Sequence, residues 1–213
     1  MIVLSILLAF AIDAGWDARR AARDEAVLRS AIRADMTTTL EALDVYVGVM
    51  ELFSERTERF IEATPEALAQ FEPDTAAAFL RAFVAASGTF TPSNGALRTS
   101  DLSLIGDQEL RARLGSWLLA AEDAAEDLPT LESGVREVAL RSGVAGAPRA
   151  VRDTALFPEV GTTPSVLAQL RGEPEFIDAL LIHDGKRRRN LNKLASLRRV
   201  TLSVLERLDA HLP

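Results

Sequence analysis

Apolar side chains recur every three or four positions along most of the chain. The longest series consists of Leu28, Ile32, Met36, Leu40, Leu43, Val47 and Met50. These spacings place the side chains on one face of an amphipathic helix. Because no proline precedes Pro65, the pattern predicts a single long helix that ends near Glu62.

Capping residues and prolines predict where the later helices begin. Thr64, Asn94 and Asp107 suit the N-cap position of a helix, and Pro164 and Pro174 suit its first turn. The predicted helices span residues 66–71, 74–86, 94–100, 108–127, 164–171 and 174–212. The helix over 108–127 is predicted to continue beyond Pro129 to residue 142, and Gly185 is a predicted point of bending in the last helix.

The pattern as a whole predicts an all-α protein. No stretch of convincing length alternates apolar and polar residues as a strand does. We expect residues 102–105 to form an apolar plug and residues 143–163, which are rich in glycine and proline, to form a long loop. The inward face of the last helix is predicted to consist of Leu191, Leu194, Leu197, Thr201, Val204 and Leu208.

The first sixteen residues differ from the rest because only Ser5 interrupts the apolar run before Asp13. A helix over these residues spans about 24 Å, slightly less than a hydrocarbon core of about 30 Å. A cleaved signal peptide and a buried soluble helix are alternatives. The run has no basic start, however, and it is apolar on every face. We therefore predict a membrane anchor over residues 1–16, followed by one helical domain over residues 17–213.

A partner or membrane contact is predicted at the end of this anchor. Trp16 suits the headgroup region, since its ring is apolar and its N–H is polar. Asp13 precedes it by three residues on the same helix face, and a carboxylate at membrane depth needs water or a donor from a neighbouring chain. The predicted contact residues are Asp13, Trp16, Asp17, Arg19 and Arg20.

Composition excludes several classes of function. The chain has 213 residues, a net charge of −7 and no cysteine, which argues against a general nucleic-acid binder and rules out thiolate chemistry. Its sequence contains no phosphate-binding loop, nucleophile elbow or zinc-protease motif. We therefore predict a non-catalytic protein without a metal or cofactor.

Three charged groups of residues are interpreted structurally. His183, beside Asp184, could orient a base or a metal ligand, but with no second histidine nearby we expect a surface or hydrogen-bonded side chain. The acidic residues between 122 and 132 are predicted to form a charged face. The basic residues between 186 and 199 are predicted to pair with that face, the alternative being contact with anionic lipid.

Two segments resemble a family of uncharacterised bacterial membrane-anchored helical proteins, a domain of unknown function. One is the anchor with its exit, residues 4–20; the other runs from Phe90-Thr91-Pro92-Ser93-Asn94 through residues 102–105 to Asp107-Gln108-Glu109-Leu110-Arg111. The resemblance implies an N-terminal anchor, a long helix and a final long helix, and it carries no catalytic residue. Family members usually have a basic stretch before the anchor, so the front of this sequence is interpreted as truncated.

These observations lead to a functional prediction. We expect a single-pass protein of the bacterial inner membrane that stabilises a larger respiratory, photosynthetic or transport complex. A small-molecule binding module on the membrane surface is the alternative. The arginines after the anchor favour a cytoplasmic domain by the positive-inside rule, whereas the family layout favours the periplasmic side, which we adopt.

Overall fold

The computed structural model describes residues 2–84, 90–141 and 164–210, and in these ranges the chain is helical with short connections. The elements are α1 (Ile2–Glu62), α2 (Pro65–Ala69), α3 (Pro73–Val84), α4 (Gly95–Thr99), a 3₁₀ turn (Leu102–Leu104), α5 (Gln108–Glu126), α6 (Leu128–Arg141), α7 (Pro164–Arg171) and α8 (Pro174–Asp209). The all-α prediction is confirmed for this part of the chain.

The described residues form two compact units. The first takes them from Met1–Glu41, Pro92–Leu119 and Arg198–Pro213, and the second from Ala42–Thr91 and Ala120–Leu197. Helices α1, α5 and α8 each contribute residues to both units. The predicted single domain over residues 17–213 stays a prediction.

In the first unit, polar side chains of α1 hold the segment before α4. The Oδ2 atom of Asp35 accepts a hydrogen bond of 2.8 Å from the backbone N–H of Ala96, and its Oδ1 accepts one of 2.8 Å from Ser93. Asp35 therefore satisfies an N-terminal donor of α4, while Asn94, at the predicted cap position, makes no side-chain capping bond. The indole of Trp117 is fully buried and donates to Thr201 over 2.9 Å.

The second unit has an aromatic core. Phe60 packs against Phe83 with ring centroids 4.7 Å apart and against Phe176 at 6.1 Å, edge to face. Arg171 of α7 donates to the backbone oxygens of Ile61 and Ala63. These bonds satisfy carbonyls that the end of α1 leaves without helical partners.

The predicted helix starts agree with the observed ones within a residue or two. Thr64 accepts a bond from the N–H of Ala67, and Asp107 accepts bonds from Glu109 and Leu110, so both predicted caps are confirmed. The periodic residues of α1 and α8 are buried or half-buried as expected. Helix α8 continues through Gly185 without interruption.

Two local predictions are wrong. The helix from Gln108 does not continue through Pro129, because α5 ends at Glu126 and α6 begins at Leu128; proline lacks the N–H needed to continue the ladder and clashes with the preceding turn. The apolar plug is only partial, since Ile105 is fully buried but Leu104 is 47% exposed. The predicted loop over residues 143–163 lies outside the described residues.

Candidate functional site

The residues predicted to contact a membrane or partner lie on the exposed first part of α1. Asp13, Trp16, Asp17, Arg19 and Arg20 are all exposed, and so is every residue from 12 to 24. From residue 12 onward, the first buried residue of α1 is Leu28, three residues after Glu25, whose carboxylate accepts a hydrogen bond from the N–H of Gly106. Trp16, with 67% of its surface exposed, is therefore covered by none of the described residues.

Within the described residues, no helix combines the length and the apolar content that a membrane span requires.

A second group of charged and polar side chains is buried on α8. His183, Asp184, Arg187 and Asn190 are each at most 6% exposed. They lie on the face that continues toward the C-terminus as Leu194 and Leu197. Polar side chains at such depth must be hydrogen-bonded or they lower stability.

Arg187 has the best-satisfied side chain of this group. Its guanidinium donates to the carbonyl oxygen of Ala82 over 3.0 Å, to the carboxylate of Asp184 over 3.3 Å, and to the hydroxyl of Thr57. It also lies 5.6 Å from the ring centroid of Phe53. Burial lowers the pKa of Arg187 and the carboxylate of Asp184 opposes that shift.

Asp184 connects this buried arginine to the surface. Its Oδ1 also accepts from Ser54 over 2.9 Å, and its Oδ2 accepts from Arg188 over 2.7 Å. Arg188 is half exposed and pairs further with Glu58 of α1. These two carboxylates raise the pKa of Arg188. The carboxylate of Asp184 is thus shared between a buried and an exposed guanidinium.

His183 lacks such partners. Its side chain is 2% exposed, and neither Nδ1 nor Nε2 has a hydrogen-bond partner among the described residues. Burial, with a smaller contribution from Arg187, lowers the pKa of His183 from 6.5 to about 3, so the ring is neutral at physiological pH. The expectation of a surface or hydrogen-bonded histidine is wrong, because the ring packs against a glycine.

That glycine is Gly134 of α6. A Cβ atom at Gly134 would lie 2.5 Å from Nδ1 of His183, a distance that real Cβ contacts do not reach. Only glycine therefore lets α6 accept the imidazole in this position. The sequence pattern gives this glycine no role, since the close approach is a tertiary contact.

A cavity of about 470 Å³ lies along the same two helices of the second unit. Ala179, Ile182 and His183 supply its less polar wall, and the cavity size falls in the range of small-molecule sites. Its ionisable lining residues are Glu137, Arg141, Glu175, Asp178 and Lys186.

Some of the charged side chains that line this α6–α8 cavity form ion pairs, and others do not. Arg141 bonds to Glu137 over 2.9 Å and also to Glu175, and these bonds raise the pKa of Arg141. Among the described residues, Asp178 and Lys186 show no side-chain hydrogen bond or ion pair. The cavity therefore presents a carboxylate and an ammonium group that form no ion pair with a described residue, and the two are separated by eight residues of α8.

The predicted pairing of basic and acidic faces is confirmed for Lys193. Its ammonium group lies 3.0 Å from Asp123 and 3.1 Å from Asp127. Arg187 and Arg188 instead bond to Asp184 and α1, because their positions on α8 face that helix. The acidic residues themselves are mostly exposed, as a charged face requires.

Neither a relative nor a metal centre identifies the site. Comparison with family models, curated proteins and solved structures found no match to the chain. The resemblance to the membrane-anchored family therefore stays a prediction. In the described ranges, no group of three or more His, Asp and Glu side chains is arranged to hold a metal ion.

Sequence reasoning missed the buried cluster although a signal was present. The spacing of three and four residues that identifies Leu194 and Leu197 continues backwards through Asn190, Arg187 and His183. The prediction stopped at the first polar residues because charged side chains are rarely fully buried. The spacing alone predicts that Asn190, Arg187 and His183 are buried.

Proposed function

We propose that the protein is a non-catalytic helical protein attached to a bacterial inner membrane by the start of α1, and that it supports a larger membrane complex through protein contacts. The observation that carries the proposal is the exposure of every residue from 12 to 24. None of these residues is buried by the described chain, so another surface that covered them would stabilise this part of the helix.

The chemistry of this segment favours an interface between apolar and charged surroundings. The apolar sequence of residues 2–12 precedes Trp16, and three arginines follow within seven residues. Tryptophan prefers the headgroup level, and arginines near the surface are attracted by anionic lipid. The proposal places one attachment at the N-terminal end and the helical units on the periplasmic side.

Flotation with vesicles of phosphatidylethanolamine and phosphatidylglycerol tests the attachment. We expect the full chain to float with the vesicles, and Trp16→Ala to reduce the floating fraction severalfold. Reversing Arg19 and Arg20 to glutamate should reduce it further at low salt. The matched control reverses Arg98 and Arg111, which are also exposed. A full chain that stays in the aqueous fraction would overturn the proposal.

Co-purification from native membranes tests the partner contact. Asp13→Ala and Trp16→Ala should each weaken association with a large complex while helicity is kept. Blue-native electrophoresis measures this directly, because an accessory subunit co-migrates with the complex. A chain that migrates only by itself would contradict the accessory role.

A second candidate function, binding of a small molecule, is favoured by the α6–α8 cavity. A cavity beside a buried histidine without a hydrogen-bond partner is a typical arrangement of a ligand site. Isotope labelling of histidine tests it well, since the chain has two histidines and His211 provides a reference signal. A ligand in the cavity should shift the ring signals of His183 alone.

A further inference from the structure

The α6–α8 cavity has a charge arrangement that defines its ligand. Asp178 and Lys186 both line it, and among the described residues neither forms a side-chain hydrogen bond or an ion pair. The other cation, Arg141, is already bonded to two carboxylates. A ligand that paired with both of these groups would carry one positive and one negative group.

The separation of these charges limits the length of the ligand. Eight residues of helix correspond to about 12 Å along the axis, and a lysine side chain can cover part of that distance. An extended peptide of two residues spans at most about 7 Å. The volume of about 470 Å³ accommodates a molecule of that size.

His183, which also lines the cavity, favours a polar group in the ligand. His183 lies between the two charged residues in sequence and keeps both ring nitrogens without partners among the described residues. A buried polar atom without a hydrogen-bond partner lowers the stability of the fold. A ligand group that formed a hydrogen bond with the imidazole would restore that stability. Ala179 and Ile182 leave an apolar surface beside it.

We propose that this cavity binds a short zwitterionic peptide. Its ammonium group lies at Asp178, its carboxylate at Lys186, its peptide group faces the imidazole of His183, and an apolar side chain rests on Ile182. The proposal rests on the second candidate function and specifies its ligand class. Gly134 is needed for it, since a side chain there would displace the imidazole.

Calorimetry with the full chain and the dipeptide alanyl-leucine tests the proposal. Three blocked forms serve as matched probes: the N-acetylated, the C-amidated and the doubly blocked dipeptide. We expect each single block to weaken binding by about tenfold, because each removes one charge-assisted contact. Equal binding of the free and the doubly blocked dipeptide would overturn the assignment of the ligand class.

Two variants assign each charge to its residue. Asp178→Asn should abolish the preference for a free ammonium group and keep the preference for a free carboxylate, whereas Lys186→Met should do the reverse. Both side chains are at least partly exposed, so neither change should unfold the chain. Variants that keep both preferences would contradict the proposed orientation.

The histidine signals separate failure of this proposal from failure of the second candidate function. If the doubly blocked dipeptide shifts the signals of His183 as strongly as the free one, the cavity binds small molecules but not by charge. If no dipeptide shifts them and calorimetry detects no heat, the peptide proposal is wrong. A wider set of neutral compounds that also leaves His183 unchanged would remove the second candidate function as well.

Discussion

The arginines near the start of α1 are exposed, whereas an arginine in the middle of α8 is buried. Arg19 and Arg20 on α1 are exposed, and among the described residues neither forms a side-chain hydrogen bond or ion pair. Arg187 on α8 is 1% exposed and reaches the backbone of α3 and the side chains of Asp184 and Thr57. Both regions are arginine-rich helix in the sequence, yet of these three arginines Arg187 alone is part of the core.

The position of an arginine on its helix, rather than its residue type, decides whether its charge belongs to the core or to the surface. Arg187 continues the spacing of buried residues on α8, while Arg188 and Arg189 lie beside it and stay exposed. A guanidinium at an inward position must find several acceptors, because burying an unpaired charge is very costly. The exposed arginines have no such requirement: Arg188 pairs with Asp184 and Glu58, whereas Arg19 and Arg20 are available for function.

The largest effect is expected from Arg187→Met. The substitution leaves Asp184 less compensated and the carbonyl of Ala82 without its donor, so the free energy of unfolding should fall by about 3–5 kcal/mol. Urea denaturation followed by circular dichroism measures it. The exposed neighbour Arg188 is the control, and Arg188→Met should cost about 1 kcal/mol or less. Equal losses would show that the buried network adds nothing.

Gly134 and Gly185 of the second unit should respond to substitution by alanine in opposite ways. Gly134→Ala places a Cβ atom against the ring of His183, and overpacking of this kind costs about 1–3 kcal/mol. Gly185→Ala, two residues from His183 on α8, meets no atom within 4 Å and should stabilise the helix by about 0.5–1 kcal/mol. Thermal unfolding should therefore move in opposite directions for the two variants.

The pH dependence of stability is expected to report on His183. Its pKa of about 3 in the folded chain is below the value of 6.5 expected after unfolding. Between these values the unfolded chain binds a proton that the folded chain does not, so stability falls as the pH falls. At about pH 5 this loss amounts to about 2 kcal/mol.

The variant His183→Gln isolates this contribution from that of the carboxylates. Both proteins lose stability in acid, but the variant should lose less between about pH 6.5 and pH 5. Urea midpoints measured in parallel over this range give the difference. Parallel curves would mean that the folded chain binds the proton at His183 as readily as the unfolded chain does.

Sequence patterns predicted the helices and much of the core because both depend on local spacing. Leu28, Ile32 and Met36 were placed inside by their separation alone, and they are buried. The contact between Gly134 and His183 could not be predicted, since the two residues are 49 positions apart and belong to different helices. The same reason explains why Arg188 pairs with Glu58 rather than with the predicted acidic face.

The smallest effect on stability is expected where the largest effect on function is proposed. Replacing Arg19 and Arg20 by glutamine removes two exposed charges that form no ion pair with a described residue, so the free energy of unfolding should change by about 0.5 kcal/mol or less. Membrane flotation of the same variant should fall severalfold at low salt, because each arginine near an anionic surface contributes about 1 kcal/mol. A variant that loses stability as well would place these arginines in the fold, and the contrast between α1 and α8 would then be wrong. Unchanged stability with unchanged flotation would instead leave the exposed start of α1 without the membrane role proposed for it.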